Sequence, residues 1–435
     1  MGDRNLQEVA SAPSPVPPVS RAATRRITFF VALAIFAQES TWNFYDSQVP
    51  PLLREHVGSA ALVGLMMGMD NLLGIFVQPW MGNRSDRTRT SWGRRMPYIA
   101  TGLPIAALLF LVIPHVATSL PLLVLVMFTY ALVANSVKPV AESLLPDYIP
   151  AQGRSRANAA VKVASALTVI VAALISLLLV DDHPKLAFAV PSALMLGSVA
   201  VLAARVRDSR SPAYRAVLLE DAARDPRTAA GPRVRDTVRD IVVDPDRSRL
   251  LVITAIFLFG GAWAASRALM TPYGQEALEM SRGDAGGLTL PSGVAFLLAA
   301  YPAALLAERL GRVRVMTGGM LVFVAGMALG TLVQTPSGAI AGLSLAAAGA
   351  AGFMINAVVV LWNLAPSSSV LGTYTGLHTV GWASGGFLGP ALVGGMVDIT
   401  GWRLMLVDIA VLALLSVLIV SRIAVQRRRH GGGTL

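Results

Sequence analysis

Gln78-Pro-Trp-Met-Gly-Asn-Arg-Ser-Asp-Arg-Thr-Arg-Thr-Ser-Trp-Gly-Arg-Arg-Met-Pro-Tyr98 is a short, densely charged stretch held between two long apolar runs. Arg84, Arg87, Arg89, Arg94 and Arg95 share it with a single acid, Asp86. Such charges do not lie in hydrocarbon, so the stretch faces water, and its arginine excess marks that water as cytoplasm by the positive-inside rule. Gly82 and Gly93 permit a tight reversal and close helix approach. Asp86 is placed to pair with an arginine or to cap the next helix.

Working outward, the chain of 435 residues is 54% hydrophobic and only 14% charged, which excludes an ordinary soluble protein. Its apolar runs repeatedly reach the ~20 residues that span a bilayer. Hydropathy places twelve spanning helices near 26–50, 58–81, 97–114, 120–145, 157–180, 185–206, 249–272, 288–307, 314–334, 337–364, 370–396 and 403–424. Residues 1–24, rich in Pro, Ser and Ala, read as a disordered cytoplasmic tail rather than a secretory signal. Residues 207–248 are charged and proline-containing, a cytoplasmic linker between six-helix bundles at 25–206 and 249–424, and 425–435 form a basic tail. With both termini inside, 29 of the 36 Lys and Arg fall on the cytoplasmic side and only Arg54, Lys185, Arg282 and Arg403 on the other.

That topology accounts for the net charge of +11 without a nucleic-acid partner. The absence of cysteine excludes disulfides, thiolate catalysis and cysteine-based zinc sites. The histidines (His56, His115, His183, His378, His430) are scattered, and there is no phosphate loop, metal spacing or nucleophile motif. The expectation is a protein that is not an enzyme and holds no cofactor or metal. Arginine outnumbers lysine 33 to 3, which points to a GC-rich bacterial genome and so to a multi-pass protein of the inner cell membrane.

The opening stretch resembles the loop between helices 2 and 3 of the major facilitator superfamily, Gly-x-x-x-Asp-Arg…Gly-Arg-Arg, carried here by Gly82, Asp86, Arg87, Gly93, Arg94 and Arg95. The common version has one residue between its two parts, whereas Thr88 to Trp92 intervene here. This longer form looks like that of the plant sucrose–proton symporters, their animal relatives and the glycoside–pentoside–hexuronide symporters. Trp42-Asn-Phe-Tyr-Asp-Ser-Gln-Val-Pro50 and Leu144-Leu-Pro-Asp-Tyr-Ile-Pro…Arg154-Ser-Arg-Ala-Asn-Ala159 also resemble that group. Ala307-Glu-Arg-Leu-Gly-Arg-Val-Arg314 is a weaker echo of the opening loop, with Glu308 in the acid's place before Arg309. The resemblance implies an all-α membrane protein of two pseudo-symmetric six-helix bundles, working by alternating access around a site between them, usually as a monomer. It also implies a cytoplasmic gate in which Asp147, Arg154 and Arg156 lie beside Asp86 and its arginines.

An ionisable residue inside a membrane helix costs several kcal/mol unless paired or hydrated, so each is a functional candidate. In the first helix Glu39, Asn43 and Asp46 fall at i, i+4 and i+7, flanked by Gln38 and Trp42, as one polar stripe. Asp46, near the outer end, reads equally as a solvated carboxylate. The second helix carries Asp70-Asn71. The glycoside–pentoside–hexuronide symporters place cation-binding carboxylates where this chain has Gly74 and Gln78, so the resemblance favours a proton over sodium, with Asp70 as its carrier.

Lys138 and Glu142, at i and i+4, predict an ion pair, either structural or broken when Glu142 takes a proton. Trp263 and Arg267 share a face of the seventh helix, and Arg267 is placed to counter Glu39 or Asp70, or to bond a hydroxylated or anionic substrate. Asp408 reads as peripheral. Asn356, Trp362, Asn363, His378 and Trp382 complete the candidates, because sugars pack C–H faces on aromatic rings and offer hydroxyls to amides. Each tryptophan also reads as a lipid-interface anchor.

Proton-coupled symport of a sugar, glycoside or similar hydroxylated solute fits these residues best, with Asp70, Glu142 or Glu39 carrying the proton. Two other readings stay open. One is proton-driven export of an amphipathic metabolite or drug, against which the fifth helix lacks the Gly-x-x-x-Gly-Pro antiporter pattern found instead at Gly385, Gly389 and Pro390. The other is a non-transporting membrane scaffold.

Overall fold

The computed structural model describes residues 21–148, 154–211, 214–215, 239, 241–364 and 371–429. It is a bundle of helices: α1 (Arg21–Arg54), α2 (Ala60–Arg87), α3 (Met96–Val116), α4 (Leu120–Glu142), α5 (Leu144–Tyr148), α6 (Arg154–Leu179), α7 (Pro184–Arg205), α8 (Ser248–Ala268), α9 (Met270–Leu278), α10 (Arg282–Gly287), α11 (Thr289–Leu310), α12 (Arg312–Leu332), α13 (Pro336–Asn363), α14 (Leu371–Thr400) and α15 (Met405–Arg429). A long helix occupies each stretch that hydropathy marks. Among the described residues ten of them are long and apolar enough to cross a membrane. α1 is not one of the ten, because its polar stripe dilutes it; within α6 the described apolar stretch is Ala164–Leu179.

Local chemistry sets the ends. Ser59 caps α2 by accepting the Leu62 amide at 3.3 Å, and proline in the first turn of α3, α4 and α7 supplies a pre-set φ where no amide bond is needed. Gly311, at φ 93°, lets the chain reverse between α11 and α12. The helices keep large apolar side chains on their outer faces, such as Phe76, Leu178, Leu298 and Leu332, as a surface solvated by lipid requires.

Two hydrophobic cores form. One gathers α1–α4 with α6 and α7 around Phe44, Phe110, Tyr130 and Phe188. The other gathers α8, α9 and α12–α15 around Phe259, Phe323 and Phe353. The two halves meet along α2 with α14 and α6 with α10 and α11. Glycines set the first seam: a Cβ on Gly64 or Gly68 would run into the Pro390 or Phe387 carbonyl of α14, and one on Gly394 into the Ala60 carbonyl of α2. Among the described residues every hydrogen bond between the halves lies at or beyond the level of Asn43, towards the end remote from the Arg84–Arg95 stretch.

The expected linker is not wholly solvent. Its first residues fold back, with Asp208 and Ser211 fully buried and Tyr214 nearly so against the arginine-rich loop. The Tyr214 hydroxyl donates to the Thr90 carbonyl at 3.3 Å.

Candidate functional site

The polar stripe of α1 faces the seam, and the seam supplies its partners. Arg267 of α8 donates from Nη2 to Asn43 Oδ1 at 2.5 Å and from Nε to Asp46 Oδ2 at 3.3 Å. Asn43 in turn donates to Thr168 Oγ1 of α6 at 2.7 Å, so one chain of bonds runs α8–α1–α6. Ser47 and Thr271 close it at 3.3 Å. A small cavity here is lined by Asn43, Asp46, Ser47, Ala172, Arg267 and Thr271. The expectation that Arg267 counters Glu39 or Asp70 is therefore corrected: its acid is Asp46. The idea of a solvated Asp46 fails with it, because the closing halves leave its side chain only 23% exposed.

Lys138 reaches Glu39 Oε1 at 3.8 Å and stands 5.7 Å from the centre of the Trp42 ring. This replaces the expected Lys138–Glu142 pair. Glu142 lies exposed at the end of α4. Behind Trp42, Tyr45 and Tyr130 stack at 5.3 Å, and the Tyr130 hydroxyl bonds Thr41 at 2.8 Å, which fixes the aromatic wall.

Asp70 is buried in α2, and its Oδ1 accepts from Asn71 Nδ2 at 2.9 Å. Asn71 lies against Gly386 of α14, where a Cβ would strike its amide. Asn135 ties the Asp70 carbonyl to α4 at 3.0 Å and takes a bond from Gln78 at 2.7 Å. Glu39, Trp42, Asn43 and Arg267 thus gather on one side of the seam, with Asp70 and Asn71 on the α2–α14 side.

Among the described residues the remaining C-terminal candidates do not join them by any hydrogen bond. Trp263 packs on Phe296 at 6.0 Å, Trp382 packs on Gly260, and Asn356 donates to the Gly352 carbonyl of its own helix at 2.9 Å. Asn363 is exposed, His378 is half-buried, and the Trp362 side chain lies outside the described residues. Asp408 is not peripheral: it is 3% exposed and accepts the Thr400 hydroxyl at 2.7 Å.

At the arginine-rich end, Asp147 takes Arg94 Nη2 at 2.6 Å, Arg94 Nε at 3.0 Å and Arg95 Nε at 2.9 Å, while Asp86 takes Arg95 Nη2 at 2.5 Å. Burial works against the Arg94 charge, and the bonds and charge of Asp147 outweigh it, holding the guanidinium above its ordinary range. Asp208, which sequence reasoning left in the linker, accepts the Arg94 and Arg95 amides at 2.6 and 2.5 Å. Two successive amides after a glycine at φ 103° form an anion-binding nest, whose filling acid the linker sequence does not identify. Gly82 and Arg87 lie in the last two turns of α2, before that loop. Glu308 and Arg309 are exposed and make no ion pair among the described residues, and the Arg154 and Arg156 side chains lie outside them.

This arrangement of two helical halves with buried charges along their seam is that of a membrane transporter. The family model of the Major Facilitator Superfamily matches residues 31–301 and 280–434, so the chain belongs to that superfamily, whose members are transporters and not enzymes. The membrane-associated transporter protein of Homo sapiens is 33% identical over 86 residues, 20% of this chain and 16% of that one. Sucrose transport protein SUT1 of Oryza sativa subsp. japonica is 38% identical over 72 residues, 17% of this chain and 13% of that one. The chain thus spans well under a quarter of the length of either relative. A bacterial homolog of the human lysosomal transporter Spinster, solved in an inward-facing and occupied conformation, shares the fold with a TM-score of 0.71 at 14% identity, over 93% of this chain and 97% of that one. The nucleoside transporter NupG does so with a TM-score of 0.69 at 13% identity, over 91% and 99%.

Proposed function

We propose that this chain is a proton-coupled symporter of a sugar, glycoside or similar hydroxylated solute, working by alternating access as a monomer. In this reading α1 and α6 also cross the membrane, giving twelve spans, and both termini with the 207–248 linker are cytoplasmic. The conformation described above is then inward-facing, closed on the outside by the seam. The observation that carries the reading is the bridge from Arg267 to Asn43 and Asp46 beside the Glu39–Lys138 pair, because it joins both halves at charges that hydrocarbon would not tolerate unpaired. A solute hydroxyl or a proton that competes for these groups changes the energy of the seam, which is what coupling requires.

Trp42, half-buried and fixed by Tyr45 and Tyr130 behind it, stands beside amide and carboxylate groups and suits a sugar, whose apolar face stacks while its hydroxyls bond. The likeness to sucrose transport proteins supports that class. A lone buried carboxylate such as Asp70 suits a proton better than sodium, which wants several converging oxygens.

The test uses purified protein in liposomes with an internal pH dye and no imposed gradient. Adding the right sugar class outside acidifies the interior in wild type, and Asp70→Asn or Glu39→Gln abolishes the response. Interior pH changes driven by lipophilic amines, with none from any sugar, would overturn symport in favour of export. Sugar-driven acidification that survives both substitutions would move the proton to another group.

A further inference from the structure

A second cavity, of about 630 Å³, sits at the arginine-rich end between the start of α1, α5 and the end of α7. That volume lies within the roughly 300–1,000 Å³ of small-molecule sites. Its walls combine two chemistries. Phe30 and Leu144 contribute to an apolar floor, and Arg26, Arg205 and Arg207 stand around it. None of these arginines makes an ion pair or a side-chain hydrogen bond among the described residues; of the nearby acids, Asp147 is committed to Arg94 and Arg95, and Asp208 gives one oxygen to two backbone amides while its other oxygen is buried. Three uncompensated guanidinium groups around one cavity call for an anion.

A second feature lies beside it. Tyr148 lines the cavity, and its hydroxyl is buried just behind the wall with no hydrogen-bond partner among the described residues. A buried hydroxyl without a partner costs about 1–3 kcal/mol, which an acceptor at the cavity edge would recover once the ring turns to meet it. Burial, then the charges of Asp208 and Asp147, push this phenol up from its ordinary range, so it is a donor at any working pH.

We propose that this cavity binds an anionic phospholipid, the arginines and Tyr148 taking its phosphate and the apolar floor the start of its acyl chain. A free phosphate would leave the floor unused. The place fits as well, since the cavity lies among the arginine-rich helix ends, the level at which basic pockets between membrane helices meet acidic headgroups. This site is separate from the charges of the seam and does not depend on what the protein carries.

The experiment places the full chain in nanodiscs of phosphatidylcholine with a minority of phosphatidylglycerol, then counts lipids retained on the ejected protein by native mass spectrometry. Wild type keeps one phosphatidylglycerol. Arg26→Gln with Arg207→Gln loses it, by about fivefold in retention for each arginine removed. Tyr148→Phe, which keeps the packing, weakens it, whereas Arg309→Gln with Arg314→Gln, exposed charges elsewhere on that end, leaves it intact. Equal loss in that control pair would mean diffuse surface attraction and overturn the proposal. So would equal retention of phosphatidylcholine, or full displacement of the lipid by inorganic phosphate, which would make this a free-anion site. Retention unchanged in the Arg26/Arg207 variant would mean that acidic residues of the chain's own linker or tail already neutralise these arginines.

Discussion

At the scale of single residues, the arginine-rich loop shows how a buried charge cluster is made tolerable. Asp147 is 6% exposed in its side chain, Arg95 4% and Arg94 9%, so all three have given up most of their hydration. Such a group is stable only while every member is paired, and removing one partner strands the others, at a cost of about 3–5 kcal/mol. Asp147→Ala is therefore expected to lose that much stability, read as an earlier thermal unfolding midpoint in detergent, and an unchanged midpoint would show the arginines hydrated instead. Gly93 belongs to the same cluster for a different reason. Its φ of 103° is costly for any side chain, and a Cβ there would lie 2.5 Å from Asp208 Oδ2. Gly93→Ala should destabilise the loop even though it removes no bond. The sequence located this cluster through its arginines and glycine, but not the identity of Asp208. Nothing in a run of linker residues says that one acid turns back under the loop to meet two amides.

Elements were more legible than partners. Hydropathy placed helices such as 185–206 within a residue of Pro184–Arg205, because a bilayer imposes length and apolarity on each span separately. Pairing is a property of two helices, and there local rules failed. The i, i+4 rule joined Lys138 to Glu142 within α4, whereas α1 packs beside α4 and brings Glu39 to 3.8 Å. Arg267 likewise met Asp46 because the seam closes over a position that looks solvated on one helix alone. The seam itself depends on glycine. Gly64 of α2 leaves no room for a side chain beneath the Pro390 carbonyl, and α14 runs as one continuous helix through that point. Gly64→Leu should thus open the α2–α14 contact while leaving each half intact. The chain has no cysteine, so a single Ser47→Cys under the seam reports the opening by its labelling with a membrane-impermeant maleimide. Labelling several-fold faster in the Gly64→Leu background is expected, and an unchanged rate would place the flexing elsewhere.

At the scale of the molecule, the closed end is held by a device that occurs twice. Asp398, at the end of α14, accepts Ser59 Oγ at 2.6 Å and the Ala60 and Ala61 amides at 2.7 and 3.1 Å, capping α2 of the other half. Asp181, beyond the end of α6, accepts Ser281 Oγ at 2.6 Å and the Gly283 amide at 2.8 Å, at the start of α10 across the seam. In both places a cap serine also accepts an amide of its own helix, from Leu62 or Asp284, and offers its proton to the opposite half. The first amides of a helix have no internal partner and carry the positive end of its dipole, so a carboxylate there contributes about 0.3–1 kcal/mol when exposed. Each of these bonds crosses the seam and holds only while the far ends of the halves touch. Asp398→Ala and Asp181→Ala are therefore expected to favour the arrangement open at that end, each by up to about fivefold in population. Because both clasps act on one rigid-body equilibrium and stand on different helix pairs, the double variant should shift it by close to the product of the two. Spin labels across the far ends of α2 and α10 read that population as a distance distribution. A double variant no more open than either single one would mean that Arg54, paired with Glu276 at 2.8 Å and stacked on Trp402 at 5.2 Å, holds that end without the clasps.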